Sequence, residues 1–258
     1  MSDAGKVAIV TGGSRGIGQA ISRRLAARGV AVCVNYTAQA APADALVAEI
    51  AASGGRAIAV GADVADAGAV LAMLKRVEAE LGPVGILVNN AGVSAPATLD
   101  TYDEAALDRM RRVNVNGVIH TVRAVMEGMK ARGYGRIVNI ASNAAIGTAL
   151  PGTTFYGATK AEVLILTKRF AMELGRSGIT VNAVAPGWIV TDMARRGATE
   201  EAFAARVASM RERTMVGRVG APEDIAAAVD FLTREDAGFV TAQVLTVDGG
   251  RMDYIGHG

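Results

Sequence analysis

Short, uniformly apolar runs rich in β-branched residues alternate with longer Ala/Leu/Arg/Glu-rich stretches along nearly the whole 258-residue chain. That alternation constrains the fold more than any other feature. The runs at 7–11, 31–35, 57–61, 86–90, 136–140, 180–185 and 244–247 read as strands. They are apolar throughout rather than alternating with polar residues, as expected when helices cover both faces of a sheet. The stretches between them, such as 18–28, 43–53 and 66–81, have helical periodicity and stop at Gly29, Gly54 and Gly82, which suit left-handed helix ends. Strand–helix–strand order of this kind predicts an α/β chain. We expect one Rossmann-type domain spanning 1–258, a doubly wound, parallel, seven-stranded sheet flanked by helices.

Composition narrows the class. Apolar residues make up 51% and aromatics 4%, while 27 basic residues against 25 acidic leave a formal charge of +2. With no Lys/Arg-dense block, a nucleic-acid partner is not expected. Cys33 is the only cysteine and lies in an apolar run, so it reads as a small core residue, and no internal disulfide can form. Residues 1–6 are polar and offer no hydrophobic leader, and no apolar stretch is long enough to span a membrane. A reducing, cytoplasmic setting follows. The least regular part is 191–219, after the sixth strand. In a sheet whose sites lie beyond the strand carboxyl ends, such an insertion would overhang the site as a substrate lid; a tolerated surface excursion is the other reading.

The first strand leads into Thr11-Gly12-Gly13-Ser14-Arg15-Gly16-Ile17-Gly18 and then directly into a helix. Gly12, Gly16 and Gly18 would let backbone approach a pyrophosphate, and the helix start offers free N–H groups to an anion. Ser14, Arg15 and Ile17 complete the loop. At the end of the second strand, a carboxylate would bind the ribose 2′-hydroxyl and repel a 2′-phosphate. Asn35 and Tyr36 stand there instead, with no acid before Asp44. Arg15 would offer a cation to that phosphate, unless it is simply a solvated surface residue. These features favour NADP(H), with NAD(H) retained as the other cofactor. Asp63 and Val64 follow the third strand, where a carboxylate could meet an adenine amino group or instead cap the next helix.

Tyr156 and Lys160 are four positions apart in a helical pattern, so their side chains share a face. An ammonium beside a phenol would lower the phenol pKa from about 10 and make it a usable proton carrier. Ser142 ends the fifth strand. Asn114 sits between two valines in a long helical stretch, where it is either a satisfied buried amide or a functional one.

Together these residues give the chain a resemblance, over essentially its whole length, to the short-chain dehydrogenase/reductase family. The family's glycine motif matches Thr11 to Gly18, and its next motif matches Asn89-Asn90-Ala91-Gly92. Its Asn–Ser–Tyr–Lys tetrad matches Asn114, Ser142, Tyr156 and Lys160. Pro186-Gly187, with Ile189 and Thr191, resembles the segment that receives the nicotinamide. The resemblance implies cofactor contacts from Asn90, Ala91, Gly92, Tyr156, Lys160, Pro186, Gly187, Ile189 and Thr191. It also implies that Tyr156 exchanges a proton with the substrate oxygen and that Ser142 hydrogen-bonds that oxygen. Lys160 would bind the nicotinamide ribose and hold down the tyrosine pKa, and Asn114 would position a water. A homotetramer is implied on the same ground.

Two departures stand out. Ser142 and Tyr156 are fourteen positions apart where the family usually has thirteen, so Asn143 occupies the usual serine offset. We assign the extra residue to the loop Ala149-Leu150-Pro151-Gly152. The other is Ala242, at a position where the family usually has Gly; a small backbone adjustment is expected.

Within the family, Val32-Cys33-Val34-Asn35-Tyr36, Gly135 to Ile140, and Gly217-Arg218-Val219-Gly220 ahead of Pro222-Glu223-Asp224 most resemble 3-oxoacyl-[acyl-carrier-protein] reductases. The implied substrate is a small carbonyl compound or alcohol, or an acyl thioester, with acyl carrier protein a possible partner. Arg109, Arg111 and Arg112 would supply a basic surface for that acidic partner, or form a solvated helix face or subunit contact. Two other readings remain: an NAD-dependent polyol, sugar or hydroxysteroid dehydrogenase, and a non-catalytic dinucleotide-binding regulator. His120 reads as a packed histidine and His257 lies in the tail. No metal-ligand spacing occurs, so no metal is expected.

Overall fold

A computed structural model describes residues 6–256 apart from Arg196. Most of the polar N-terminal stretch, one residue of the 191–219 segment, and His257 therefore lie outside the described residues. Seven strands form one all-parallel sheet in the order β3-β2-β1-β4-β5-β6-β7. In chain order they are β1 (Val7–Val10), β2 (Ala31–Tyr36), β3 (Ala57–Gly61), β4 (Val84–Asn89), β5 (Gly135–Ile140), β6 (Ile179–Pro186) and β7 (Val244–Val247). The helices are α1 (Gly16–Ala27), α2 (Ala41–Ala52), α3 (Ala67–Glu80), α4 (Glu104–Arg111), α5 (Gly117–Arg132), α6 (Thr154–Leu174), α7 (Asp192–Arg195), α8 (Glu200–Glu212) and α9 (Pro222–Leu232). A single π-helical turn, Arg112–Asn116, joins α4 to α5. None of the described helices is long and apolar enough to cross a membrane.

Alternate strand residues serve two cores, which explains the uniformly apolar runs. Val7 and Ile9 of β1 pack with Cys33, Leu87, Ile137 and the buried faces of α3, α5 and α6. Ala8 and Val10 pack with Val32, Val88, Val138 and the faces of α1, α2 and α9. Burial pushes the Cys33 thiol up to about 12, so at neutral pH it is a neutral packed group. The strand order reverses direction between β1 and β4. In sheets of this kind, ligands bind beyond the carboxyl ends of the strands at that point.

One polar chain crosses the apolar interior. Asn89 and Asn139 face each other in the β4–β5 register. The Asn89 amide donates to Asn139 Oδ1 at 2.8 Å, the Thr121 hydroxyl donates to Asn89 Oδ1 at 2.6 Å, and the Asn139 amide donates to Thr167 at 2.9 Å. This chain runs from α5 across one face of the sheet to α6, just below the strand ends.

Ala242 stands where a small backbone adjustment is expected. It keeps a left-handed backbone (φ 59°), alone among the described non-glycine residues. Its N–H donates to Val181 O at 2.9 Å, and the turn is held by Asn182, which accepts from Gln243 N–H at 3.0 Å and donates to Val240 O at 2.8 Å. These bonds leave the alanine no room to relax. Left-handed backbone costs an L-residue roughly 1–2 kcal/mol, and glycine returns part of that as unfolded-chain entropy. Ala242→Gly is therefore expected to stabilise the fold by about 0.5–1 kcal/mol and to raise Tm by ~2 °C in a thermal melt. An unchanged or lower Tm would show that the turn carries no strain.

Candidate active site

The glycine loop between β1 and α1 is held from below and kept open above. Thr11 Oγ1 accepts the N–H groups of Asn90 and Ala91 at 2.9 and 3.0 Å. The Asn90 amide in turn donates to the carbonyls of Thr11 and Gly12 at 2.9 and 3.0 Å. Gly12 and Gly16 have φ of +58° and +50°, which favour glycine. A Cβ on Gly18 would lie 2.2 Å from Gly12 O and 2.5 Å from Asn90 Nδ2, so α1 can start this close to the strand only with glycine there. Ser14 is buried, and Ile17 packs against the α1-side core. Arg15 is exposed and hydrogen-bonds Gln39 across the loop. This cradle, with helix N–H groups behind it, fits a dinucleotide pyrophosphate.

The ends of β2 and β3 differ in role. Asn35 is 1% exposed and turned inward: its Oδ1 accepts Gly12 N–H at 3.2 Å, and its amide donates to Val60 O and Ala62 O at 3.2 and 3.0 Å. It shapes the glycine loop and ties β2 to β3, while Tyr36 is the half-buried residue at the strand tip. Asp63 is exposed and accepts Ala65 N–H at 2.9 Å, but the α3 cap is Asp66, which accepts from Gly68 and Ala69. Val64 is buried, and His120 reaches its carbonyl through Nδ1 at 3.0 Å. His120 is therefore a packed and hydrogen-bonded histidine.

Asn114, Ser142, Tyr156 and Lys160 converge beyond β4 and β5. Asn114, on the π turn, is wholly buried and accepts Val93 N–H at 2.8 Å. Its amide donates to Val93 O at 2.9 Å and to Thr159 Oγ1 at 3.1 Å, fixing the loop after β4 against α6. Lys160 is 4% exposed, and its ammonium donates to Ile140 O at 2.8 Å. A Cβ on Gly92 would lie 3.4 Å from both Asn114 Oδ1 and Lys160 Nζ, so the two polar groups flank that glycine. Ser142 caps a short 3₁₀ turn by accepting Ala144 N–H at 3.1 Å. It also hydrogen-bonds the Tyr156 hydroxyl.

The electrostatics correct one sequence expectation. Burial pushes Tyr156 up to about 12, and the Ser142 hydrogen bond only partly opposes it. The lysine does not pull the phenol down, because its Nζ lies 5.9 Å from the ring centroid and is itself desolvated. Burial lowers Lys160 to about 8. Below that pH both native and unfolded chains hold the lysine proton, and the native state carries the full cost of a buried ammonium. Between about 8 and 10.5 the unfolded chain still binds a proton that the native state has released. Stability should therefore rise with pH across that window, by on the order of 3 kcal/mol at most. Urea titrations at pH 7.5 and 9.5 without nucleotide would detect this, and the rise should vanish in Lys160→Met. An equal slope in both proteins would contradict it.

The segment after β6 closes the front of the site. A Cβ on Gly187 would lie 2.6 Å from Asp248, and Ile189 forms a parallel bridge with Gly220. Thr191 lies over the glycine loop, its methyl 3.2 Å from where a Gly16 Cβ would stand. Residues 191–219 are more regular than the sequence reading suggested, because they contain α7 and α8. Thr199 caps α8 by accepting Ala202 N–H at 3.2 Å, and Phe203 and Met210 bury one face. Phe203 also packs on Trp188, with ring centroids 5.8 Å apart.

The sequence model described as short chain dehydrogenase matches residues 6–202. The chain belongs to the short-chain dehydrogenase family. It is an oxidoreductase that works with a nicotinamide cofactor on a small-molecule substrate. A 3-oxoacyl-[acyl-carrier-protein] reductase from a Synechocystis strain is 41% identical over 246 residues, 95% of this chain and 96% of that protein. Among solved structures, a short chain dehydrogenase from Burkholderia cenocepacia in complex with NADP is 40% identical, covers 97% of this chain and 99% of its own, and has a TM-score of 0.86. A gluconate 5-dehydrogenase from the same organism, bound to NADP and tartrate, is 36% identical over 95% of this chain and 94% of its own, with a TM-score of 0.88.

Several residues around this short-chain dehydrogenase site carry structure that motif reading passed over. Thr11 clamps Asn90 and Ala91 through its hydroxyl, although the sequence points only to Gly12, Ser14, Arg15, Gly16, Ile17 and Gly18 in this loop. The available signal was the polar residue that ends the first apolar strand run. Asn143, Asp248 and Tyr254 form a separate cluster beside Ser142. No spacing rule links 143 to 254, so that cluster was hidden until the chain folded.

Proposed function

We propose that the protein is an NADPH-dependent reductase of a 3-oxoacyl thioester or a similar ketone. The observation that carries this reading is the state of Tyr156. A phenol pushed up to about 12 keeps its proton at neutral pH and so is ready to act as an acid, which suits the reductive direction. When bound, the nicotinamide supplies the hydride. Tyr156 gives its hydroxyl proton to the carbonyl oxygen of the substrate as that carbon is reduced. Ser142 donates to the same oxygen, where negative charge develops. Lys160, anchored on Ile140 O, holds ribose hydroxyls. Asn114 and Lys160, flanking Gly92, hold a water through which the proton on Tyr156 is replaced. Gly12, Ser14, Gly16, Ile17 and Gly18 cradle the pyrophosphate, with Asn90, Ala91 and Gly92 beneath it. Asp63 and Val64 meet the adenine; Pro186, Gly187, Ile189 and Thr191 receive the nicotinamide.

NADP(H) is favoured over NAD(H) because no carboxylate stands at the end of β2 and Arg15 is exposed beside it. Asn35 supports the loop from within and Tyr36 faces the adenosine end. The NADP-bound Burkholderia relative supports the same choice. The Synechocystis relative supports a 3-oxoacyl substrate, with acyl carrier protein as its bearer. The gluconate 5-dehydrogenase likeness supports a second reading, a polyol or sugar dehydrogenase. We also read residues 191–219 as a substrate lid, the chain as one catalytic domain in the cytoplasm, and the assembly as a homotetramer. Exposed Ile165 and Met172 on α6 would then be covered by a neighbouring copy.

The test is the initial rate of NADPH oxidation with an acetoacetyl thioester, run beside gluconate with NADP and NAD, on a sample whose mass is read by light scattering. Turnover of the thioester with NADPH supports the proposal. Turnover of gluconate alone sinks the acyl reading and keeps the enzyme. A monomeric mass would refute the tetramer.

A further inference from the structure

The chain beyond β7 forms a strap between the two walls of the site. Gly249 and Gly250 both take left-handed backbone, with φ of +71° and +70°. On one side Thr214 pairs with Arg251, and Met215 and Val216 donate N–H to the carbonyls of Gly250 and Gly249 at 3.1 Å each. On the other side Thr148 pairs with Tyr254, Ala149 N–H donates to Asp253 O at 2.8 Å, and Ile255 N–H donates to Gly147 O at 2.7 Å. The strap thus joins the segment after β6 to the loop that leaves Ser142. Arg213 and Arg251 both hold Asp253, which keeps the strap in place.

At the inner end of this strap the Tyr254 hydroxyl donates to Asp248 Oδ2. The amide of Asn143 reaches the same carboxylate oxygen at 3.5 Å and also hydrogen-bonds Tyr254. Asn143 is 5% exposed, so its amide has little water to turn to if these partners are lost. Ser142 has extended backbone (φ −168°, ψ 151°), so its side chain and that of Asn143 leave the chain in different directions. Only one of them can face Tyr156. Both carry a group able to donate to a carbonyl oxygen, and they are adjacent on the chain.

We propose that Tyr254 is a positioning residue for the reaction: with Asp248 it captures the Asn143 amide and thereby keeps Ser142, and not Asn143, turned toward Tyr156. This rests on the reading of Ser142 as the group that binds the substrate oxygen. The strap makes the catalytic loop answer to the lid side of the site as well as to its own strand.

Tyr254→Phe keeps the ring and removes the hydroxyl. It is expected to lower kcat about tenfold while NADPH affinity stays within twofold and Tm within about 2 °C. In a Ser142→Ala background the same change should cost less than twofold more, because the route it acts through is already gone. An equal loss in both backgrounds, or wild-type kcat in the single variant, would overturn the proposal. If Ser142→Ala itself turns over like wild type, the reading of Ser142 has failed instead. A crystal structure of Tyr254→Phe answers the same question without any substrate. Ser142 Oγ is expected out of hydrogen-bond reach of Tyr156, and a Ser142 that has not moved overturns the proposal.

Discussion

Tyr156→Phe is expected to lower kcat about a thousandfold while leaving NADPH affinity within about twofold of wild type. Among the described residues, the phenol is the one side chain that holds a dissociable proton at neutral pH and hydrogen-bonds Ser142. Positioned acids contribute 10²–10⁴ in rate, and a thousandfold is about 4 kcal/mol of barrier. The ring remains in the variant, so the wall of the site is kept and only the proton is lost. Stopped-flow single turnovers would give the chemical step, and fluorescence titration would give the affinity. A rate within tenfold of wild type would remove Tyr156 from the proton path. A variant that loses turnover and keeps binding would also exclude a purely regulatory dinucleotide-binding role.

Gly18→Ala should instead damage cofactor binding, by a different route. The new Cβ would stand 2.2 Å from Gly12 O and 2.5 Å from Asn90 Nδ2, and the nearer atom is backbone. Relief requires α1 to move off the sheet or the glycine loop to open, and overpacking of this kind typically costs about 1–3 kcal/mol. We expect a stability loss at the upper end of that range and an NADPH affinity about a hundredfold weaker, since the loop that must meet the pyrophosphate is the part that shifts. Gly54→Ala is the control. Gly54 also has a left-handed backbone (φ +80°), yet a Cβ there meets nothing within 4 Å. It should lose about 1 kcal/mol of stability from backbone strain alone and bind cofactor normally. Equal cofactor affinities in the two variants would mean that the close approach at Gly18 is not what shapes the site.

Much of this was legible in the sequence because burial on both faces leaves a simple mark. The apolar runs at 7–11 and 31–35 lie on β1 and β2 to within a residue, since a strand covered on both sides tolerates few polar residues. Boundaries drifted where glycine and proline took part, as with β4, which starts at Val84, and β6, which extends to Pro186. The 191–219 segment looked irregular because α7 is short and α8 is polar, with only Phe203 and Met210 buried along it. Neighbouring charges along the chain are visible in a sequence, but depth is not. That is why Tyr156 was expected to be lowered by Lys160, when desolvation in fact raises it. Depth also changed the meaning of Asn35, which looked like a ligand contact and serves chiefly as a brace beneath Gly12. The same reasoning separates Asp63 from Asp66: either carboxylate could have capped α3, and the chain geometry selects Asp66.

The Asn89–Asn139 pair has a consequence for how the sheet assembles. Shifting β5 by one residue against β4 would set Asn89 opposite Val138 or Ile140. Each asparagine would then lose its partner across the strands, and Thr121 and Thr167 would be turned from theirs. An unpaired polar group in such surroundings costs about 1–3 kcal/mol, and several would be left at once. An all-apolar pair of strands would feel much less difference between the two alignments. The amides thus act as a registration mark, cut into an otherwise featureless hydrophobic surface. Parallel strands joined through long crossovers must find each other without the help of a tight turn. Here the mark lies directly beneath the residues whose alignment the chemistry depends on, so a chain that closes in the wrong register is rejected before its site can form.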